Sequence, residues 1–374
     1  MYGQCTECKG IKIQTKDIDQ SGKVKWNKWQ TIQEKRNIKG VDKIVKLTVK
    51  KEESGTISDL VDIFSKEMVS FKQHSFNITN QMEHYRQVKE NLSDNEVLIH
   101  IDFSKNYACK MAREIHTLHF GASKHQITLH TGVYYTNKCM QTFCAVSDSL
   151  EHGPSGIWAY LDPVLNKIFN ENRKIDTVHF YSDGPSAQYK QKGNFFLLSN
   201  EVTKRNMKMG IWNFHESGHG KGVPDGVGGS VKRTANNLVL QGHDIQNASD
   251  FVHLMNQQNS AVYIYKVNED KIDVVKKVLE SQKLKPVPKT QKLHQIKTTG
   301  NGEMWYRDVS CFCGDNETHD GHDWNFFKLS NKAHRKPKYN ETQRSEDQHE
   351  HENIENQASM NDLDNVEDER NQFF

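Results

Sequence analysis

Short apolar runs that end on an aspartate constrain this chain more than any other feature. Val178 to Tyr181 is one such run, and it delivers Asp183 into a Gly-Pro turn within FYSDGPSAQYK. Upstream, VLIHIDFSKNY repeats the arrangement, with Val97 to Ile101 ending on Asp102. Short apolar runs bounded by turn formers read as buried strands, so each acid is expected at the carboxyl end of a strand. Further on, Trp212 to Phe214 leads into Glu216, a glycine-rich loop, Asp225, and then Val227, Val231, Ala235 and Leu238 at helical spacing. Two more acids thus flank a strand-to-helix junction. Acids drawn from three separated elements are how folding assembles a divalent-metal site, because hard cations take oxygen ligands.

The intervening pattern supplies the other elements. Ile127 to Tyr135 and Gln141 to Val146 alternate as strands around a polar turn at Thr136 to Lys138. Ile157, Tyr160, Leu161, Val164, Leu165 and Ile168 have helical spacing, Asn194 to Lys204 is amphipathic, and Met207 to Phe214 is a further strand. The order is β-β-β-α-β-α-β-α, with acids after the first strand, after the fourth and at the last helix. Before it, residues 23–50 alternate in a strand-like way around Trp26 and Trp29, and 57–89 read as helical. After it come a helix at Asp250 to Met255, a strand from Ala261, a helix at Asp270 to Leu284 and a lysine-rich linker at Lys283 to Lys297. Four regions are expected: a basic accessory region 1–92, a core 93–245, a C-terminal α+β accessory region 246–330, and an acidic tail 331–374.

Charge is uneven along the 374 residues. The net is +2, yet Glu341 to Phe374 holds eleven acidic and two basic residues, which leaves +11 on residues 1–340. A basic body collects phosphates by counterion release, as a nucleic-acid partner requires, although a lysine-coated soluble protein has the same signature. The tail has too few apolar residues to offset its ordering entropy and is expected to be disordered. Seven cysteines, an odd number unevenly spread, speak against a disulfide framework and for a reducing compartment, nuclear or cytosolic. No apolar run approaches the ~18 residues of a membrane-crossing helix, and the amino end lacks the regions of a signal peptide. Cys5 and Cys8 form half a zinc knuckle with no second pair nearby, which hints at a longer ancestor. Cys311, Cys313, His319 and His322 have zinc-compatible types, but the first spacing is tight and the loop short.

The segments IHIDFSKNY, TLHTGVYY, FYSDGPSAQYK and HESGHGKGVPDGVGGSVKR, together with the element order, resemble the DDE/D transposases, specifically transposase-derived proteins of cut-and-paste DNA elements in animal genomes. The likeness spans roughly residues 95–245. It implies an α/β, ribonuclease-H-like mixed sheet, and DNA strand cleavage and strand transfer by a two-metal mechanism using Mg²⁺ or Mn²⁺. It also implies double-stranded DNA as partner and the nucleus as location, is compatible with a homo-oligomer, and includes no membrane.

On that resemblance Asp102 and Asp183 share one metal, and either Glu216 or Asp225 holds the second. They follow Asp183 by 33 and 42 residues, and the family places its third acid on the last helix, where Asp225 stands. Lys190, Lys221, Lys232 and Arg233 are the candidate phosphate contacts. His130 and His152 read as supporting or purely structural histidines, and Asp148 as a weaker fourth carboxylate. The alternative is a catalytically silent DNA-binding or assembly module. A general ribonuclease-H-like nuclease is a third reading.

Overall fold

The computed structural model describes residues 19–38, 40–113, 124–312 and 323–329. The acidic tail, Cys5, Cys8, Cys313, His319 and His322 lie outside the described residues, and so does the four-ligand zinc arrangement they would complete.

The fold is mixed α/β, with eleven strands and six helices among the described residues. β1 (Lys23–Ile38) and β2 (Val41–Thr56) form a two-stranded antiparallel ribbon. It runs into α1 (Ile57–Glu90), whose start Thr56 and Asp59 close as a capping box. The remaining strands are β3 (Glu96–Ala108), β4 (Gln126–Tyr135), β5 (Met140–Ser147), β6 (Thr177–Ser182), β7 (Met209–Phe214), β8 (Val262–Lys266), β9 (Gln295–Gly300), β10 (Glu303–Arg307) and β11 (Asn325–Lys328). They make one sheet in the order β11-β10-β9-β7-β6-β3-β4-β5-β8. β3, β6 and β7 are parallel, β4 is antiparallel to both β3 and β5, and β8 adds in parallel to β5. The other helices are α2 (Pro154–Glu171), α3 (Lys192–Lys204), α4 (Val223–Leu240), α5 (Ala248–Asn256) and α6 (Glu269–Glu280). Among the described residues no helix is long and apolar enough to cross a membrane.

Strand alternation assigns the two faces. Val97, Ile99 and Ile101 of β3, Val178 and Phe180 of β6, and Trp212 and Phe214 of β7 pack with α2 and α3 in the largest cluster. Phe180 stacks on Trp212 at 4.8 Å, and the Trp212 indole donates to the Ser182 hydroxyl. The opposite face is divided. Val227, Val231, Ala235 and Leu238 of α4 cover Ile127, Leu129, Cys144 and Val146, whereas α1 covers Leu98, Val133 and Tyr181 with Val88. Between those patches the alternate positions are His100, Asp102, His179, Asp183, Asn213 and His215, so that face turns polar where the candidate acids lie.

Three expectations are revised. β3 does not end at Asp102: β4 carries it on to the Ala108–Gln126 pair, with a register shift between Ser104 and Tyr107. The helical stretch before the core is one 34-residue helix that buries only Gln81, His84 and Val88. Residues beyond 246 extend the core sheet at both edges, through β8 and through β9, β10 and β11.

Candidate active site

Strand register brings Asp102 and Asp183 side by side. β3 and β6 pair in parallel from Glu96–Thr177 to His100–Tyr181, and each acid lies two residues beyond the last pair, on backbones about 4.8 Å apart. β6 ends at Ser182, so Asp102 sits past the carboxyl end of its neighbour although it is inside its own strand. Asp225 comes from the first turn of α4, where its Oδ2 accepts the Gly222 N–H at 2.8 Å. The apolar stripe of α4 fixes that end of the helix against β3 and β4.

The acids feel one another. Burial pushes the Asp102 carboxyl up to about 7, helped by the Asp183 and Asp225 carboxylates and opposed by the Phe103 N–H. Burial and Asp225 push Asp183 up to about 6, against the Lys190 ammonium. Asp183 Oδ1 is buried with no hydrogen-bond partner among the described residues. The glycine-rich loop passes directly over it: a Cβ on Gly220 would stand 2.7 Å from the Asp183 Cβ, closer than real side chains come. That approach explains why the loop carries glycine there.

Glu216 faces elsewhere. His74 Nδ1 lies 3.1 Å from one carboxylate oxygen, and the Asn77 amide donates to the other at 2.8 Å. His294 Nε2 reaches that same oxygen at 2.9 Å. Burial works to raise its pKa, but the His294 and Asn77 hydrogen bonds, with the His294 charge and His74, hold it down at about 2. This acid ties β7 to α1 and β9. The sequence showed two acids flanking one loop; in the structure the Asp225 charge is felt by Asp102 and Asp183, whereas Glu216 is held by His74, Asn77 and His294.

The candidate cations also separate. Lys190 is 4% exposed, with Nζ 3.4 Å from the Gln291 carbonyl and 5.2 Å from the Phe214 ring centroid. Burial lowers its ammonium to about 8, while the Glu216 and Asp183 carboxylates oppose the loss of charge. Its contacts are thus a backbone carbonyl and an aromatic ring, within the field of the Glu216 and Asp183 charges. Lys221 is exposed on the loop and Arg233 on α4. Lys232 is half-buried and donates to the Ser104 hydroxyl at 2.8 Å.

Tyr189 was missed in the sequence. It is fully buried, its hydroxyl lies 3.1 Å from His130 Nε2, and burial with the Asp102 and Asp183 charges raises it well above the usual phenol range. His152 joins Thr128 and Asn106, and Asp148 accepts the Ala248 N–H at the start of α5. These three polar groups build the scaffold. Histidines also floor the face beneath the loop: His100 and His215 lie 5.2 Å apart, and burial lowers them to about 3 and about 4. Among the described residues no three His, Cys, Asp or Glu side chains already stand as a metal-holding group, Asp225 being turned to its backbone cap.

Residues 81–310, well over half of the chain, match the model of a family described as a domain of unknown function (DUF8701). No curated protein and no solved structure matches the chain.

Proposed function

We propose that this chain, which belongs to the DUF8701 family of domains of unknown function, is a metal-dependent enzyme that cleaves DNA strands in the manner of DDE/D transposases. The observation that carries the reading is that Asp102, Asp183 and Asp225 come from three elements to one face of the sheet, where burial first, and then neighbouring carboxylates, disfavour the anionic form of the first two. Such carboxylates gain by sharing a cation. The orphaned, buried Asp183 Oδ1 and the all-oxygen donor set fit a hard divalent ion such as Mg²⁺ or Mn²⁺. The ribonuclease-H-like reading of the sheet is supported by the order β7-β6-β3-β4-β5 with only β4 reversed.

Asp102 and Asp183 would hold the first ion, and Asp225 would contribute the oxygen its cap leaves open. Bound there, a divalent ion would supply Lewis-acid polarisation of the scissile phosphate and make a bound water more acidic than bulk water. The residues themselves set the charge state. Lys190 favours the anionic form of Asp183, while burial and the neighbouring carboxylates favour the protonated form of Asp102, a balance that a bound cation would shift toward the carboxylates. Tyr189, fully buried against His130, lies within the field of both acids. Lys221, exposed on the loop, is the phosphate contact, with Arg233 on α4. Transfer of the freed 3′ end to a second DNA, and the nucleus as the place of action, rest on the transposase resemblance alone.

A second reading, a catalytically silent DNA-binding or assembly module, is favoured by the engagement of Asp225 as a helix cap. Nicking of supercoiled plasmid separates the two. The enzyme nicks with Mg²⁺ or Mn²⁺, and Asp183→Asn loses that activity at least about 100-fold while remaining folded and DNA-bound. Absence of nicking by the intact chain, with DNA binding retained, overturns the enzymatic reading in favour of the module.

A further inference from the structure

The β1–β2 ribbon lies outside the stretch that matches the family and takes no part in the acid site. Its strands of 16 residues make it about 50 Å long. Isolated two-stranded ribbons are marginal in water, so one that projects this far needs something to lie against. The side facing α1 is half-covered: Trp26, Gln30, Leu47 and Val49 are partly buried, and Lys28 pairs with Glu67 of α1. The other side is exposed along almost its whole length. By register it carries Lys23, Lys25, Lys35, Lys46 and Lys50 against only Asp42 and Glu52. Lys25 and Lys35 pair with those two acids, whereas Lys23, Lys46 and Lys50 have no ion-pair partner among the described residues. Interleaved with them are the amides and hydroxyls of Asn27, Thr31, Gln33 and Thr48, with Trp29 and Ile44, which are 67% and 71% exposed.

We propose that this outer face is a DNA-binding arm that lies in the major groove of duplex DNA; the choice of DNA rests on the strand-cleaving function proposed for the acid site. Three features select the partner. The ribbon carries nine Lys or Arg against four Asp or Glu, so a second copy would be repelled and a polyanion attracted. Amide and hydroxyl side chains between the lysines match base edges and phosphate oxygens, whereas two separated apolar side chains, Trp29 and Ile44, do not make the continuous apolar face that a bilayer requires. A two-stranded ribbon fits the major groove of B-form DNA, about 12 Å wide, and not the deep, narrow one of A-form RNA.

The test is fluorescence anisotropy of the full chain with a labelled duplex of about 30 base pairs, roughly twice the ribbon's length. It is run in EDTA on the Asp183→Asn background, so cleavage neither contributes to the signal nor is needed for it. Lys23→Gln/Lys46→Gln/Lys50→Gln should lower affinity about tenfold at moderate salt and flatten the slope of log K against log salt by about 2.7, or 0.9 per lost phosphate contact. A control of equal charge on exposed α6 lysines, Lys271→Gln/Lys276→Gln/Lys277→Gln, should change affinity less than about threefold. Equal losses in both variants, or equal binding of duplex RNA, overturn the proposal. So does unchanged DNA affinity, whether the triple variant instead loses self-association in ultracentrifugation or loses binding to anionic vesicles. Any of these leaves the plasmid-nicking result standing, and failure of nicking leaves the anisotropy result standing.

Discussion

At the scale of single residues, the two aspartates make a pH-dependent statement. Burial and the Asp225 charge push the Asp183 carboxyl up to about 6 in the folded chain, from an ordinary 3.8. A raised carboxyl constant means the folded form holds its proton longer, so the residue costs nothing below about pH 4. The cost grows as pH rises through 6 and is constant above. Asp183→Asn in EDTA should therefore be more stable than the parent by about 1–2 kcal/mol at pH 8, with the gap opening between pH 4 and 6 in urea titrations. The difference is the quantity to follow, because four buried histidines act in the opposite sense. His84, His100 and His130 are lowered to about 3 and His215 to about 4, so they stay neutral in the fold but protonate below about 6.5 when unfolded. The parent thus loses stability as pH falls from 6.5 toward 4. The third acid is tested by a pair of variants. Asp225→Asn should abolish metal-dependent nicking and change stability by less than about 1 kcal/mol, its capping oxygen being retained. Glu216→Gln should keep most nicking but cost about 2–3 kcal/mol by chemical denaturation, since His74, Asn77 and His294 lose a charged acceptor.

At the scale of elements, the acid site depends on how closely α4 approaches β3. A Cβ on Gly228 would stand 2.3 Å from the Ser104 hydroxyl oxygen and 2.7 Å from its Cβ, whereas at Gly226 and Gly229 it would meet nothing within 4 Å. Gly228→Ala should therefore push the helix off the strand, costing about 1–3 kcal/mol and displacing Asp225, so nicking falls with stability. Gly226→Ala and Gly229→Ala should raise the melting temperature, each gaining about 0.5–1 kcal/mol from helix propensity. The helix was legible in the spacing of Val227, Val231, Ala235 and Leu238. Why Gly228 and not its neighbours must be glycine was not, since helical spacing says nothing of the strand residue it meets. β3 shows the same limit from the other side. The turn-like FSKNY after Asp102 hid a strand that continues because β4 supplies its hydrogen bonds.

At the scale of the whole molecule, the ends of the family-matched stretch meet. The Gln81 amide of α1 donates to the Phe214 carbonyl at 2.8 Å and to the Ser310 hydroxyl at 2.9 Å, and its oxygen accepts the Ser310 N–H at 2.8 Å. Ser310 in turn donates to Asn213, which also accepts from Gln295. One glutamine side chain thus fastens α1 to the end of β7 and to the segment after β10. Gln81→Leu would leave a buried N–H and a buried carbonyl unpaired. It should cost about 2–3 kcal/mol in urea unfolding, more than Leu replacement of an exposed α1 residue such as Gln73. This polar network was invisible in the sequence, since its members are scattered from Gln81 to Ser310.

The sequence by itself determined the alternation that sends Val97, Ile99 and Ile101 to one face and His100 and Asp102 to the other. It also determined the apolar stripe of the helix behind Asp225 and the uneven charge of the chain. Those are local properties, set by the period of a strand or helix and by side-chain chemistry. Only the tertiary structure decided that Glu216 is taken up by His74, Asn77 and His294 while Asp225 caps its own helix, that Lys190 is buried against the Gln291 carbonyl and the Phe214 ring, and that β8 to β11 lengthen the same sheet. Each of these depends on which distant element packs against a face, and a residue's periodicity marks the face that will be covered without naming the partner that covers it.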